Sequence, residues 1–433
     1  NNNLPLDTIE ALAWGSNLNW GFEKHPPLSA FAVEFFFKIF GNQDWAYYFL
    51  SQIFVIFTFI IIWVFSKEFF RNQNYSLISL LLLEGIYFYN YTTPEFNVNI
   101  CQLPFWALTV YYCWKGFTDN KNSNWILLGL FAGLGVLSKY LFIYLISSIG
   151  IFLFYMIYES KLNLKFLISL IPFFLILSPH IIWLIENNFV TITYGLHRST
   201  SDFYAGNPGV LNHFKYPVLF ILKQIGVLMP FFILLLFLIS KLKTKINFRD
   251  KKLIFLIFIN IFPLILIFLT SLFFGINIRT MWMTPFYLFF SIFIVYIFQK
   301  NININKIKNF YLIFIFLFVV SPSVYSINSI IKKDQRIDYP AKEISNKVQD
   351  NWNKNFKNDI SIVVGQAWWA GNLSYHLKSR PKYVSGYLNF VKEKFNPDDA
   401  VVYIEHESSK LSKSCPGVYF VTNSLYICMV GNK

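Results

Sequence analysis

Long apolar stretches separated by short polar loops occupy the chain from residue 45 to residue 326. A helix needs about 20 apolar residues to cross the hydrocarbon core of a bilayer, and stretches near that length recur here. We therefore predict a mainly α-helical, polytopic transmembrane bundle. Its ten predicted spans are 45–66, 75–90, 97–114, 125–138, 140–158, 166–185, 216–239, 253–274, 281–298 and 309–326.

The two ends of the chain follow a different pattern. Residues 26–41 are apolar but contain Glu34 and Lys38 four positions apart, which favours a helix lying in the membrane interface over a span. Residues 7–14 are interpreted in the same way. We therefore predict that residues 1–44 form a loop with interfacial helices, followed by a membrane domain over 45–326.

The tail over 327–433 is polar and has strand-like runs at 360–364, 401–404 and 418–421, with a helical stretch near 341–350. This pattern predicts a small α/β domain outside the membrane. Cys415 and Cys428 both lie in it, and the spacing leaves a disulfide and two free thiols as open alternatives.

Composition and charge narrow the class of protein. The chain is 55% hydrophobic and only 14% charged, where a soluble domain has about 25% charged residues. The net charge of +14 does not indicate a nucleic-acid partner, because the basic residues cluster in short loops on one side of the predicted spans. That side is predicted to be cytoplasmic. The segments that then face outward are 1–44, 91–96, 186–215, 275–280 and the tail. We also expect one further span upstream.

Asp7 and Glu10 are the first candidate catalytic residues. They are three positions apart, so they share one face of a helix. Acidic residues are also favoured in the first turn of any helix. The functional alternative is a general base with a supporting carboxylate at the membrane surface.

Lys24 and His25 precede the pair Pro26-Pro27, just before the predicted interfacial helix. Basic residues near the membrane surface often have no specific ligand and simply extend their side chains so that the charged group reaches water. The alternative is that they bind the phosphate of a lipid-linked substrate.

Glu95 and Lys139 also lie on the predicted outer side. Glu95 is either a solvated loop acid or part of the same site. Lys139, at a helix end, either reaches the interface or contacts an anionic substrate. Close helix packing is expected before Lys139, at Gly129, Gly133 and Gly135.

Three further basic residues lie on the same side. His197 and Arg198 are part of the long loop 186–215, which is either a gate or a plain surface loop. Arg279 is at the outer surface, where it is positioned to hold a phosphate.

The sequence contains no metal-binding motif and no nucleotide-binding motif. We therefore predict no required cofactor, although a divalent metal stays possible. A transporter would carry its important charges at the bilayer midplane, with Lys223 foremost. The acids collect instead near one surface, and a purely structural membrane protein has no use for them there.

The arrangement of these segments resembles the GT-C membrane glycosyltransferases, in particular the bacterial branch with the lipid A aminoarabinose transferases, related to the protein O-mannosyltransferases. The segments that carry the resemblance are PLDTIEALAWG (5–15), GFEKHPPL (21–28), TTPEFNVNICQLPFWAL (92–108), GLFAGLGVLSKY (129–140), SPHIIWLIENNFVT (178–191), RTMWMTPFY (279–287) and AWWAGNLSYHLKSRP (367–381).

The resemblance implies an inverting transferase on the periplasmic side of the bacterial inner membrane. It would use a sugar or an amino sugar linked to polyprenyl (undecaprenyl) phosphate, and an envelope acceptor, with lipid A favoured over protein. The family's first-loop Asp, a catalytic base or acceptor-orienting carboxylate, falls on Asp7. Its phosphate-binding basic residue falls on His25 beside Lys24, and its acid after the third span falls on Glu95. The family's Glu before the basic residue is here Lys24, so any metal or acceptor role of that Glu is not carried over to the neighbouring Glu23.

Overall fold

The computed structural model describes residues 3–199, 209–333, 335–385, 397–406, 411, 418–422 and 425–433. Helices dominate, and a small sheet lies near the C-terminus, as the sequence predicts. The helices are α1 (Leu6–Gly15), α2 (Leu28–Phe40), α3 (Asp44–Phe69), α4 (Gln73–Leu81), α5 (Tyr87–Asn90), α6 (Val98–Asp119), α7 (Asn122–Ser138), α8 (Ile143–Tyr158), α9 (Leu170–Glu186), α10 (Val190–Ser199), α11 (Asn212–Leu238), α12 (Lys251–Phe274), α13 (Phe290–Phe298), α14 (Ile307–Ile331), α15 (Ala341–Asn355) and α16 (Ala367–His376).

Within the described residues, six helices are long and apolar enough to cross a membrane. They include α3, α11 and α12, and three helices that continue from short 3-10 turns: Tyr140–Tyr158, Leu164–Glu186 and Ile304–Ile331. Many of their large apolar side chains are exposed in the isolated chain, as expected for surfaces that face lipid. The chain is therefore a multi-pass membrane protein.

The other four predicted spans are not among these six helices. The stretch 75–90 is not one helix, because α4 passes into the 3-10 turn Leu82–Gly85 before α5. The stretch 281–298 is a pair of helices, Thr280–Tyr287 and Phe290–Phe298, bent by 52°. The helices α6 and α7 exist, but buried Asn99 and Gln102 make α6 less apolar, and α7 has only 17 residues.

Small residues set the packing of α7, as predicted. A Cβ added to Gly129 would lie 1.9 Å from the carbonyl oxygen of Ser169, and one on Gly133 would lie 3.1 Å from Ile176. Glycine therefore allows α7 to approach the start of α9 closely. Gly135 similarly leaves room for the ring of Phe142. This packing fixes the end of α7, next to which Lys139 lies.

The C-terminal region contains one five-stranded sheet flanked by α15 and α16. Its strands are β1 (Ile362–Gly365), β2 (Lys382–Ser385), β3 (Val401–Glu405), β4 (Val418–Thr422) and β5 (Leu425–Val430). Their order is β2-β1-β3-β5-β4, in which β1 is parallel to β2 and β3, and β5 is antiparallel to β3 and β4. Cys415 lies outside the described residues, so its pairing with Cys428 stays a prediction.

Helix α1 is enclosed between α2 and α16, where we expected it to lie along the membrane surface. Residues 8–15 are all buried. Ala13 and Trp14 share a hydrophobic core with Ile344 and Val363 of the C-terminal region. Gly371 of α16 permits this contact, because a Cβ there would lie 2.9 Å from the Cβ of Ala13. The C-terminal region thus holds the helix that carries Asp7 and Glu10.

Arg380 joins these three elements through polar contacts. Its guanidinium donates to the Glu34 carboxylate at 2.9 Å and to the Leu12 carbonyl at 2.7 Å, and it lies 4.1 Å from the centre of the Phe37 ring. Both partners of the ion pair are largely buried, with side-chain exposures of 14% and 12%. Removing one partner of such a pair leaves the other charge buried without compensation.

We expect Arg380→Met to lower the free energy of unfolding by about 3–5 kcal/mol, the range for breaking a buried ion pair. The measurement is thermal unfolding of the detergent-solubilised chain. Lys347→Met is the matched control, because the Lys347–Glu343 pair is exposed and pairs of that kind contribute about 0–1 kcal/mol. Equal changes for the two variants would contradict the assigned role of Arg380.

Candidate active site

Five elements bring the predicted charged residues to one place. Asp7 lies in the first turn of α1, and Glu10 lies one turn further along the same face. Lys24 and His25 come from the loop between α1 and α2, Glu95 from the loop before α6, Lys139 from the end of α7 and Arg198 from α10. We call the group of Asp7, Glu10, Lys24, His25, Glu95, Lys139 and Arg198 the charged cluster.

Two contacts fix α1 relative to the loop that carries Glu95. The Thr8 hydroxyl donates to the Phe96 carbonyl at 2.9 Å, and the Asp7 backbone amide donates to the Glu95 carboxyl. Asp7 and Glu95 are therefore neighbours, although they are far apart in the sequence. Both side chains are half-buried, so the two carboxyl groups share a poorly solvated space.

Lys24 and Glu10 form the closest ion pair of the cluster, at 2.5 Å. Burial and the neighbouring Asp7 carboxyl raise the pKa of Glu10, whereas Lys24 acts to lower it. The pKa of Lys24 is itself raised, because the effect of Glu10 exceeds the effect of burial. Lys24 thus carries its charge at neutral pH and is held in place by Glu10.

Lys139 is the most enclosed cation of the cluster, with only 6% of its surface exposed. Its ammonium group donates to the Asn99 side-chain oxygen and lies 5.7 Å from the centre of the Trp282 ring. Burial lowers the pKa of Lys139 to about 7, although the nearby Asp7 carboxyl acts to raise it. Its charge therefore changes within the physiological range.

Burial also dominates the acids. It raises the pKa of Asp7 above its usual range and the pKa of Glu95 to about 8, and the charge of Asp7 adds to the effect on Glu95. Cations counteract this at Asp7: Lys139, Arg198, Lys24 and Arg336. Asp7 is thus a carboxyl group whose charge depends on its cationic neighbours.

His25 is not the cation that its sequence position suggests. It is half-buried and forms a T-shaped contact with Trp14, at 5.8 Å between ring centres. Burial, together with the charges of Lys139, Lys24 and Arg198, lowers the pKa of His25 to about 3. At neutral pH it is therefore a neutral hydrogen-bonding group in this structure.

The remaining predicted residues lie at the border. His197 is exposed on α10, next to Arg198. Arg279 is exposed just before the 3-10 helix Thr280–Tyr287. Among the described residues, it is not one of the cations that lower the pKa of Asp7. Their roles as substrate contacts stay predictions.

Arg336 is a member of the site that the sequence interpretation missed. It follows α14 in the turn Arg336–Asp338, and its charge acts on both Asp7 and Glu95. The available signal was its position just after the last predicted span, on the same predicted side as Asp7. Asn99, Trp14 and Trp282 were also missed, because only the fold shows that they contact the charged residues.

Among the described residues, no group of three or more His, Cys, Asp and Glu side chains is arranged to hold a metal ion. The charged cluster combines carboxyl groups with several cations. Chemically, it can accept a proton and stabilise an anion such as a phosphate in the same enclosed region.

Comparison with known proteins finds two partial sequence matches. Residues 24–183, less than half of the chain, match the family model described as dolichyl-phosphate-mannose-protein mannosyltransferase. A relative from Wigglesworthia glossinidia brevipalpis, named undecaprenyl phosphate-alpha-4-amino-4-deoxy-L-arabinose arabinosyl transferase, is 28% identical over 131 residues. That match spans 29% of this chain and only 23% of the relative.

The fold is similar to that of a protein whose crystal structure is known. The crystal structure of ArnT from Cupriavidus metallidurans bound to undecaprenyl phosphate aligns with 98% of this chain and 94% of its own, with a TM-score of 0.61 and 10% sequence identity. The apo structure of the same protein gives a TM-score of 0.62. These structural matches confirm the predicted fold class.

We expect Glu95→Gln to stabilise the protein increasingly as pH rises. The pKa of Glu95 is about 8 in the folded protein against 4.5 for an ordinary Glu, so the folded state keeps a proton that the unfolded state releases. Wild-type stability relative to the variant therefore falls between about pH 4.5 and pH 8. The check is the difference in melting temperature between variant and wild type at pH 5, 6, 7 and 8.

Glu159→Gln is the matched control, because Glu159 is an exposed glutamate paired with Lys161. Its melting temperature should follow that of the wild type at every pH. A difference for Glu95→Gln that does not change with pH would show that the Glu95 carboxyl titrates normally.

Proposed function

We propose that this chain is an inverting glycosyltransferase that moves a sugar from a polyprenyl phosphate to an envelope acceptor. The observation that carries the proposal is the charged cluster, in which Asp7 lies among Lys24, Lys139 and Arg198. The transferase names of the matched family and relative, and the undecaprenyl phosphate bound to the structurally similar ArnT, support the same class of donor.

The reaction follows from the chemistry of the two substrates. A hydroxyl of the acceptor attacks the anomeric carbon, the bond from that carbon to the phosphate oxygen breaks, and the lipid phosphate leaves with the electron pair. Displacement in one step inverts the anomeric configuration. Asp7 takes the hydroxyl proton. Burial raises its pKa, which makes it a stronger base than an exposed aspartate.

The cations stabilise the charge that develops on the departing phosphate. Lys24, Lys139 and Arg198 are the groups we assign to this task, with Arg279 and His197 at its border. His25 contributes a neutral hydrogen bond, because its pKa is lowered to about 3. Glu10 holds Lys24, and Glu95 positions Asp7 through the backbone amide of that residue.

We further propose that the acceptor is lipid A and that the reaction takes place on the periplasmic face of the inner membrane. In this proposal residues 1–44 supply the catalytic segment, 45–326 the membrane domain and 327–433 a periplasmic domain. A protein acceptor is the second candidate, because the matched family is described as a protein mannosyltransferase.

The test is mass spectrometry of lipid A from cells that lack the gene and carry a plasmid copy. We expect wild-type cells to show lipid A with one added sugar mass, and Asp7→Asn to abolish this species while the melting temperature is retained. The physical reason is that an amide cannot accept the hydroxyl proton. Asp350→Asn, an exposed aspartate on α15, is the control and should behave as wild type.

Two outcomes would overturn parts of the proposal. Full modification by Asp7→Asn would exclude Asp7 as the base. Unmodified lipid A in wild-type cells, together with a mass shift on envelope proteins, would select the protein acceptor.

Donor affinity should fall as pH rises through about 7. Lys139 loses its proton in that range, and Glu95 gains a negative charge near pH 8, so both changes weaken the attraction for a phosphate. We expect roughly a tenfold rise in donor KM between pH 6 and pH 8, which corresponds to about 1.4 kcal/mol. Lys139→Arg should flatten this dependence, because arginine keeps its charge. An unchanged pH profile in Lys139→Arg would contradict the role of Lys139.

A further inference from the structure

A pocket of about 360 Å³ adjoins the charged cluster and is not used by the mechanism above. It lies between the end of α1, the end of α9 and strand β2. Trp14 lines the pocket and also contacts His25, so the two sites share one indole ring. The principal lining side chains are Trp14, Asn17, Glu23, Trp183, Glu186 and Tyr383.

Glu23 gives the pocket an unfilled hydrogen-bonding capacity. Only 7% of its surface is exposed, and one carboxylate oxygen accepts from the Ser385 hydroxyl at 2.6 Å. The other oxygen, Oε1, is buried and has no partner among the described residues. A buried acceptor without a donor costs about 1–3 kcal/mol, and more when it is charged. Glu23 lines the pocket, so a ligand that donates a hydrogen bond to this oxygen after a small rotation of the carboxyl group would remove this cost.

The walls of the pocket are flat and rigid. Gly21 lies so close to Trp183 that an added Cβ would be 2.2 Å from the indole, and His180 stacks on the same residue at 6.2 Å and 11°. Trp14 stacks on Phe22 at 5.5 Å and 17°. Two fixed indoles thus accompany carboxylate and amide groups, a combination suited to a ligand with both apolar faces and hydroxyl groups.

Charge separates this pocket from the phosphate site. Glu23 and Glu186 are its ionisable acids, and no Lys or Arg is among the described residues that line it. An anion is repelled here and attracted to the charged cluster next to it. The ligand is therefore neutral or cationic.

We propose that this pocket binds a saccharide unit, with Glu23 accepting from its hydroxyl or amino groups and Trp183 lying against a C–H face of the ring. The assignment of that saccharide to a substrate rests on the proposed transferase function. The acceptor glycan and the donor sugar are the two possible sources, and the chemistry of recognition is the same for both.

Saturation-transfer NMR on the full chain in nanodiscs tests the proposal without requiring transfer. The probes are D-glucose and D-glucosamine, with glycerol 3-phosphate as the anionic comparison. We expect the wild type to transfer saturation to at least one sugar. Glu23→Gln should weaken that sugar's binding roughly tenfold, as expected for a lost hydrogen bond to a charged group. Trp183→Ala should also weaken it, because the flat apolar surface against the sugar ring is lost.

Three control variants test whether these effects are specific to the pocket. Trp183→Phe retains a flat ring and should still bind the sugar detectably. Glu186→Gln tests the charge of the pocket at an exposed position, where the substitution does not disturb the fold. Glu159→Gln removes a distant exposed carboxylate. We expect Glu186→Gln to weaken D-glucosamine more than D-glucose. No sugar signal in the wild type, or equal signals in wild type, Glu23→Gln and Trp183→Ala, would overturn the proposal.

A transfer assay identifies the source of the saccharide. An increase of roughly tenfold in acceptor KM for Glu23→Gln, with donor KM unchanged, assigns the pocket to the acceptor. The reverse result assigns it to the donor sugar, and no change in either KM overturns the substrate role. If no transfer is found with any donor, the proposed function fails while the NMR result still decides whether the pocket binds a saccharide.

Discussion

The close packing of α1 against α2 and α16 is the constraint on which the rest of the site depends. Ala13 contacts Gly371 so closely that no further methyl group fits between them. Arg380, which follows α16, donates hydrogen bonds to Leu12 of α1 and Glu34 of α2. Asp7 and Glu10 have their positions because this short helix cannot shift. A ten-residue helix alone is marginal in water, so its order comes from the C-terminal region and from α2. A domain remote in the sequence therefore holds the proposed catalytic base.

The burial of α1 also explains the shifted pKa values in the charged cluster. Taking carboxyl and ammonium groups away from water disfavours their charged forms, and each group depends on its neighbours to stay ionised. Glu10 and Lys24 stabilise each other's charged forms by forming an ion pair at 2.5 Å. Asp7 and Lys139 attract each other, yet burial outweighs that attraction and moves the pKa of each toward neutrality. An arriving phosphate would stabilise the charge of Lys139, so the cluster is poised to respond to an anion.

Much of the fold could be predicted from the sequence, because length and hydropathy alone identify a spanning helix. The prediction of a single helix over 75–90 was wrong, because the chain there passes from α4 through the 3-10 turn Leu82–Gly85 into α5. The charged residues of the cluster were identified from their predicted side of the membrane, which the basic residues of the loops indicate. Arg336 and Asn99 were not identified, because their role depends on contacts between elements far apart in the chain. The state of His25 was also beyond reach, since its low pKa arises from burial and from three cations that only the fold brings together.

The shared indole of Trp14 divides two chemically different environments. On one side the ring contacts His25 in a region dominated by Lys24, Lys139 and Arg198, which attracts anions. The pocket that Trp14 also lines contains Glu23 and Glu186 and favours neutral or cationic groups. A lipid-linked sugar has both parts, a charged phosphate and an uncharged or amino-bearing ring. Within the proposed function, this difference in charge would orient such a substrate, with its phosphate toward Lys24, Lys139 and Arg198 and a neutral or amino-bearing ring toward the pocket. The acceptor, if it carries both kinds of group, would be oriented in the same way.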